Sequence, residues 1–211
     1  MLARRQENTP APGRMRAPDT ATRILDSAER LVQARGFNGF SYADVAAELG
    51  ITRASLHYHF AGKGELGLAL TARYAERFAA ALAEIDLHLT DARDKLDAYA
   101  VLYADVLRGR RMCMCGMLAA EYTTLPQPIH DQLITFFDEN EAWLERVLQQ
   151  GVAERTLRLS VPPRHAARLI VSALQGAMLI ARPYGNIDRF QTAATDLLAI
   201  LSAAPPRQDH T

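Results

Sequence analysis

From about residue 20 onward, apolar positions fall three and four apart, the spacing of one helical face, and runs of alternating β-branched residues are missing. Ala, Leu, Glu and Arg, all good helix formers, dominate the sequence. The pattern predicts an all-α chain of about nine helices. Ile24, Ala28, Leu31 and Val32 mark a first helix, capped by Thr20 or Thr22 and stopped by Gly36. Ser41 caps a second, with Asp44 in the acidic position of a capping box. Val45, Ala46 and Leu49 form its inner face before Gly50 ends it. Thr52 caps a third short helix that runs to about Phe60. A longer one begins near Lys63 and carries Leu66, Leu70, Tyr74, Phe78 and Leu82 to about Ile85. Further helices are expected near 91–107, 112–122, 128–155, 163–182 and 187–202, with breaks at "TTLPQP", "RLSVPP" and "RPYGN".

Two short helices joined by a glycine-containing turn form a helix-turn-helix pattern. Small Ala46 and Gly50 let the two helices cross closely, and Ile51 and Leu56 plug the crossing. Three regions follow. Residues 1–19, rich in Pro and Arg without periodicity, read as a disordered arm; 20–66 hold the helix-turn-helix; 67–211 form a larger helical unit.

With 211 residues, 49% of them apolar, the chain can bury a sizeable core. Its formal charge of zero names no partner. The balance hides a gradient, because residues 1–63 carry nine Lys or Arg against six Asp or Glu. A basic front end is compatible with nucleic acid. No apolar stretch reaches the roughly 18 residues of a membrane span, and the first twenty residues lack a signal peptide's apolar run. A cytoplasmic protein with no membrane association is therefore expected. Cys113 and Cys115, two apart in an apolar segment, do not indicate a disulfide framework.

The densest chemistry lies in "LGITRASLHYHF", Leu49 to Phe60. At about 100° per residue, Arg53, Ala54, His57 and Tyr58 share one helical face, while Ser55, Leu56 and His59 lie toward the other. Leu56 faces the core, and a basic, aromatic face looks outward. Such a face suits a major groove, where Arg reaches guanine acceptors and Ala54 permits close approach. His57 and His59 lie about 200° apart around the helix and cannot chelate together, so no metal is expected. A surface merely decorated by histidines is the plainer alternative.

The stretch "GFNGFSYADVAAELGITRASLHYHFAGKGEL", Gly36 to Leu66, resembles the DNA-binding segment of the tetracycline-repressor (TetR) family of bacterial transcriptional regulators. The resemblance rests on Gly-Phe, the Ser cap, Val-Ala, Leu-Gly-Ile, Thr, Leu, His-Phe, Lys and Leu. It implies that Ser41 and Tyr42 touch the DNA backbone, that Thr52, Arg53, Ala54 and Ser55 enter the groove, and that Tyr58, His59 and Lys63 contact phosphates. Two positions depart from the family pattern. His57 replaces an aromatic residue, usually Tyr, and Gly64 replaces the commoner Glu, weakening that helix start by up to about 1 kcal/mol. Family members act as dimers on palindromic operators, so a homodimer on double-stranded DNA is implied. Arg4, Arg5, Arg14 and Arg16 of the arm could follow a minor groove or remain a solvated tail.

The resemblance further implies a small-molecule effector pocket among the central helices and a dimer interface on the last two. Leu169, Ala173, Gly176 and Ala177 would permit close helix crossing, with Leu197, Leu198 and Leu201 completing a four-helix bundle with the dimer mate. A buried intrachain helix is the alternative. Met117, Cys113, Cys115 and Glu121 lie on or near one candidate pocket helix. Tyr99, Tyr103, Tyr122 and Phe136 are further lining candidates, as are Phe137, Trp143, Gln175 and Met178. One cysteine could react with an electrophile, its thiolate favoured by nearby Arg110 and Arg111; an inert buried thiol is the alternative. No cofactor is expected. An enzyme is disfavoured by the absence of a Gly-x-Ser-x-Gly elbow or a phosphate loop. A helix-turn-helix protein acting through protein partners is the remaining class.

Overall fold

A computed structural model describes residues 19–202, and the four arginines of the arm lie outside them. Nine α-helices and one short 3₁₀ turn make up the regular structure of the described residues. They are α1 (Thr20–Arg35), α2 (Tyr42–Leu49), α3 (Arg53–His59), α4 (Lys63–His88), α5 (Ala92–Arg108), α6 (Met114–Ala120), α7 (Gln127–Ala153), α8 (Pro163–Tyr184) and α9 (Ile187–Ser202). The all-helical reading of the spacing holds among the described residues.

Asp19, not Thr20 or Thr22, caps α1. Its carboxylate accepts from the Thr22 backbone N–H at 2.8 Å, and that bond holds its pKa below the usual carboxylate value. A carboxylate one residue earlier is a better acceptor for the first-turn N–H groups than either hydroxyl. At α2 the capping box forms in full: Asp44 N–H donates to the Ser41 hydroxyl, and Ser41 N–H donates to the Asp44 carboxylate at 2.7 Å. Gly50 then takes a left-handed conformation (φ 65°), which lets Ile51 N–H return to the Ala46 carbonyl at 3.1 Å. That reversal sets α3 across α2. Leu56 is the one buried residue of α3 and fills the crossing.

The α4 helix leaves this head and runs into the body. It is tied to α1 by Arg73, which pairs with Asp26 at 2.8 Å and Glu29 at 2.7 Å, and by Arg77, which pairs with Glu29 at 3.0 Å. In the body α7 packs along α4 and α8, while α9 lies against α8 and α5. Phe78 makes edge-to-face contacts with Tyr99, Tyr103 and Phe136, with ring centroids 5.3–6.1 Å apart.

Several expected helices change length, α4 among them, which runs to His88 instead of about Ile85. The 112–122 segment is α-helical only over Met114–Ala120, because Met112 donates its N–H to the Gln33 carbonyl of α1 at 3.1 Å instead of joining the helix. The α8 helix carries Pro183 in its last turn and continues to Tyr184, stopping at left-handed Gly185 (φ 60°) instead of at Arg182.

Candidate nucleic-acid interface

The caps and the buried Leu56 decide what α3 shows to solvent. Thr52 accepts from Ser55 N–H through its hydroxyl at 3.1 Å, fixing the helix start. Arg53, Ala54, His57 and Tyr58 are exposed, Tyr58 to 85% of its surface. Ser55 and His59 are half-buried, with the His59 ring 5.1 Å from that of Tyr58. Arg53, His57 and Lys63 share a shallow concavity of about 400 Å³ with Phe40, Ser41, Tyr42 and Ala43 at the start of α2.

His57 stands in place of the family's aromatic residue and keeps a ring contact, its centroid 4.9 Å from that of Tyr42. Its Nδ1 lies 3.0 Å from the Ala61 carbonyl. A carbonyl can only accept, so Nδ1 carries the proton and Nε2 is the nitrogen available to an outside partner. Tyr42 donates its hydroxyl to the Phe60 carbonyl at 3.1 Å, and burial, with a smaller contribution from Glu65, pushes its pKa up to about 12. It acts as a neutral donor at physiological pH.

Lys63 is more committed than the sequence suggests. Its ammonium donates to the Phe40 carbonyl and lies 4.3 Å from the Phe40 ring centroid and 4.8 Å from that of Phe37. Burial lowers its pKa. The side chain braces the α1–α2 connection from beneath the concavity. Gly64, beside it, has a packing reason: a Cβ there would meet Pro126 Cγ at 3.3 Å, tighter than ordinary van der Waals contact.

The remaining residues singled out in the sequence separate into several environments. Tyr99 and Tyr103 are fully buried, their hydroxyls 2.9 Å apart, and Tyr99 also donates to Asn140 at 3.2 Å. Burial pushes both phenols up. Trp143 stacks on Tyr99 and donates its indole N–H to Asp86 at 2.8 Å. Met178 is buried, as are Cys113 and Cys115, each no more than 1% exposed. Burial drives the Cys115 thiol upward, opposite to the thiolate that neighbouring arginines would favour. Half-buried Phe137 packs edge-on against Phe136, and Gln175 lies close over Gly116.

Glu121 and Met117 sit where head meets body. The Glu121 carboxylate accepts from the N–H groups of Phe37 and Asn38, and Met117 Sδ lies 3.6 Å from an Arg182 nitrogen. Tyr122 is at the surface, stacked on His130 with centroids 3.9 Å apart.

On the last two helices, Leu169 and Gly176 are exposed, while Ala173, Ala177 and Leu197 are half-buried. Leu198 and Leu201 are buried within the chain's own fold. Leu179 and Ile180 of α8 and Ile200 of α9, 54–70% exposed, are further apolar groups at the surface of these helices. The four-three-four spacing of Leu169, Ala173, Gly176 and Ile180 is the sequence signal that would have found Ile180. Among the described residues no cluster of His, Cys, Asp or Glu could hold a metal ion, and no helix is long and apolar enough to cross a membrane.

A capped pair of short helices presenting a polar face, mounted on an all-helical body, defines a helix-turn-helix DNA-binding regulator. Residues 24–70 match the bacterial regulatory proteins of the tetR family, and residues 92–197 match the tetracyclin repressor-like C-terminal domain. The chain belongs to the tetracycline-repressor family of transcriptional regulators. Its fold is similar to that of a TetR-family regulator from Agrobacterium tumefaciens (31% identity, TM-score 0.83, covering 87% of this chain and 97% of that one). A TetR regulator from Legionella pneumophila is also similar (31% identity, TM-score 0.78, covering 89% and 100%). Among curated relatives, the HTH-type transcriptional repressor ComR of Escherichia coli (strain K12) is 27% identical over 179 residues, 82% of this chain and 85% of its own. These relatives are regulators of transcription, not enzymes.

Proposed function

We propose that this regulator is a cytoplasmic repressor that binds a palindromic operator as a homodimer and is released by a small-molecule effector. The observation that carries the reading is the outward face of α3: Leu56 is buried, while Arg53, Ala54, His57 and Tyr58 face solvent beside the capped start of α2. In this reading Thr52, Arg53, Ala54 and Ser55 enter the major groove. Ser41, Tyr42, His57, Tyr58 and His59 meet the sugar-phosphate backbone, and Lys63 adds positive potential from its braced position.

Leu169, Leu179, Ile180 and Ile200 support the homodimer, because exposed apolar groups of this size on neighbouring helices mark an interaction surface. The buried thiols favour an effector held without a covalent bond to cysteine.

Fluorescence anisotropy tests the reading by comparing DNA flanking the protein's own gene with random DNA across a salt series. Selective binding with a steep salt dependence is the expected result. Equal, weak, salt-insensitive association with both DNAs would turn the assignment toward a helix-turn-helix that recognises a protein.

A further inference from the structure

A second concavity, of about 670 Å³, lies between the end of α5, the loop that follows it and the α8–α9 turn. Its size falls in the range of small-molecule sites, roughly 300–1,000 Å³. Arg108, Arg110, Arg111 and Arg182 line it together with Asn186, over apolar surface from Leu107, Ala181 and Ile187. Four arginines line it, and no carboxylate is among its described lining residues.

The four cations are not equally engaged. Arg108 pairs with Asp105 of its own helix, and Arg111 donates to Gln33 of α1 at 3.1 Å. Arg182 donates to the Ala34 carbonyl of α1. Among the described residues, the Arg110 side chain has no hydrogen-bond acceptor or ion-pair partner. Its backbone stands at φ 55°, a left-handed conformation that costs a non-glycine residue on the order of 1–2 kcal/mol. The strain places a long cation at the rim of the cleft where glycine would suit the backbone better.

We propose that this cleft binds a small organic anion: a carboxylate held by Arg110 and Arg182, with an apolar body lying on Leu107, Ala181 and Ile187. Guanidinium groups match carboxylates in bidentate geometry, and a ligand carboxylate would offset the like charges gathered at the cleft. The site is separate from the aromatic core around Tyr99 and Trp143. Its ligand competes with the Ala34 carbonyl for Arg182 and so reaches the end of the first helix of the DNA-binding head. That last step rests on the effector-released reading given above.

Isothermal titration of the full chain with 4-phenylbutanoate and with neutral 4-phenylbutanamide tests the site. The acid is expected to bind at least about tenfold more tightly than the amide. Arg110→Gly, which relieves the backbone while removing the cation, is expected to abolish that preference; Arg155→Gly, which relieves the other positive-φ residue (φ 61°), is expected to preserve it. Equal affinity for acid and amide, a preference that survives Arg110→Gly, or no binding of the acid would each overturn the proposal. Operator affinity is measured in parallel. Binding of the acid that leaves operator affinity unchanged supports the anion site and removes the release reading alone.

Discussion

The Glu121 carboxylate, at the end of α6, accepts a hydrogen bond from the backbone N–H of Phe37 at 2.5 Å, joining body to head across 84 residues of sequence. Asn38 N–H donates to the same group at 3.2 Å. The grip closes over Gly36, whose φ of 86° exposes these N–H groups and where an added Cβ would come within 2.6 Å of Glu121 Oε1. Hydrogen bonds to a charged acceptor contribute about 1.5–3 kcal/mol each, less where solvent shares the site. Glu121→Ala is expected to lower unfolding free energy by about 2 kcal/mol in urea denaturation, and a loss below about 0.5 kcal/mol would show that the grip contributes little.

Arg53 and Lys63 are expected to fail differently. Arg53→Ala should cost about 1–3 kcal/mol on the preferred operator while leaving random-DNA affinity within a few fold. Lys63→Met keeps the stem against Phe37 and Phe40 but loses the cation–π contacts and the bond to the Phe40 carbonyl. It should lower stability by about 1–2 kcal/mol and weaken all DNA alike. Side-by-side anisotropy and denaturation separate the two; equal losses on operator and random DNA in Arg53→Ala would contradict base reading by that side chain.

Burial distinguishes two substitutions on the last helices. Ile180→Asp places a charge on an exposed position and is expected to yield a folded monomer in sedimentation equilibrium. Leu201→Asp buries an unpaired charge and should unfold the protomer. A stable Ile180→Asp dimer at micromolar concentration would move the interface elsewhere.

Cys115 carries a pH signature. Its folded pKa is raised by burial, with a smaller contribution from Cys113. The unfolded thiol ionises near 8.5 while the native one stays protonated, so the native state binds more protons above that pH. The stabilisation is full below pH of about 8.5 and is lost as pH rises from there through the raised folded value. Urea midpoints in wild type and Cys115→Ala should converge with rising pH. Iodoacetamide labelling of native protein at pH 7.5 should follow global unfolding; rapid labelling of either cysteine would restore the case for a reactive thiol.

The head was largely legible in the sequence because its signals are local. A capping box four residues long, a left-handed glycine and one inward leucine define α2, the turn and α3 without reference to anything distant. Even there the first cap was misread, since Asp19 and the two threonines compete over the same N–H groups. The body resisted because helical periodicity names a face but not its neighbour. It could not tell inward Leu201 from outward Ile200, nor show that Tyr99 and Trp143 pack against each other and that Glu121 turns toward the head. The reason for Gly64 lies 62 positions away at Pro126, and the cluster around Arg110 assembles from two segments some seventy residues apart. Neither leaves a mark on local spacing.

The last turn of α1 draws its hydrogen-bond partners from far downstream. Gln33 accepts from the Met112 backbone, and Ala34 accepts from Arg182, 148 residues later. During synthesis the head therefore leaves the ribosome first but acquires its final contacts only when α8 has emerged. A chain truncated before α8 would carry α3 on a first helix that lacks the Arg182 contact at its end.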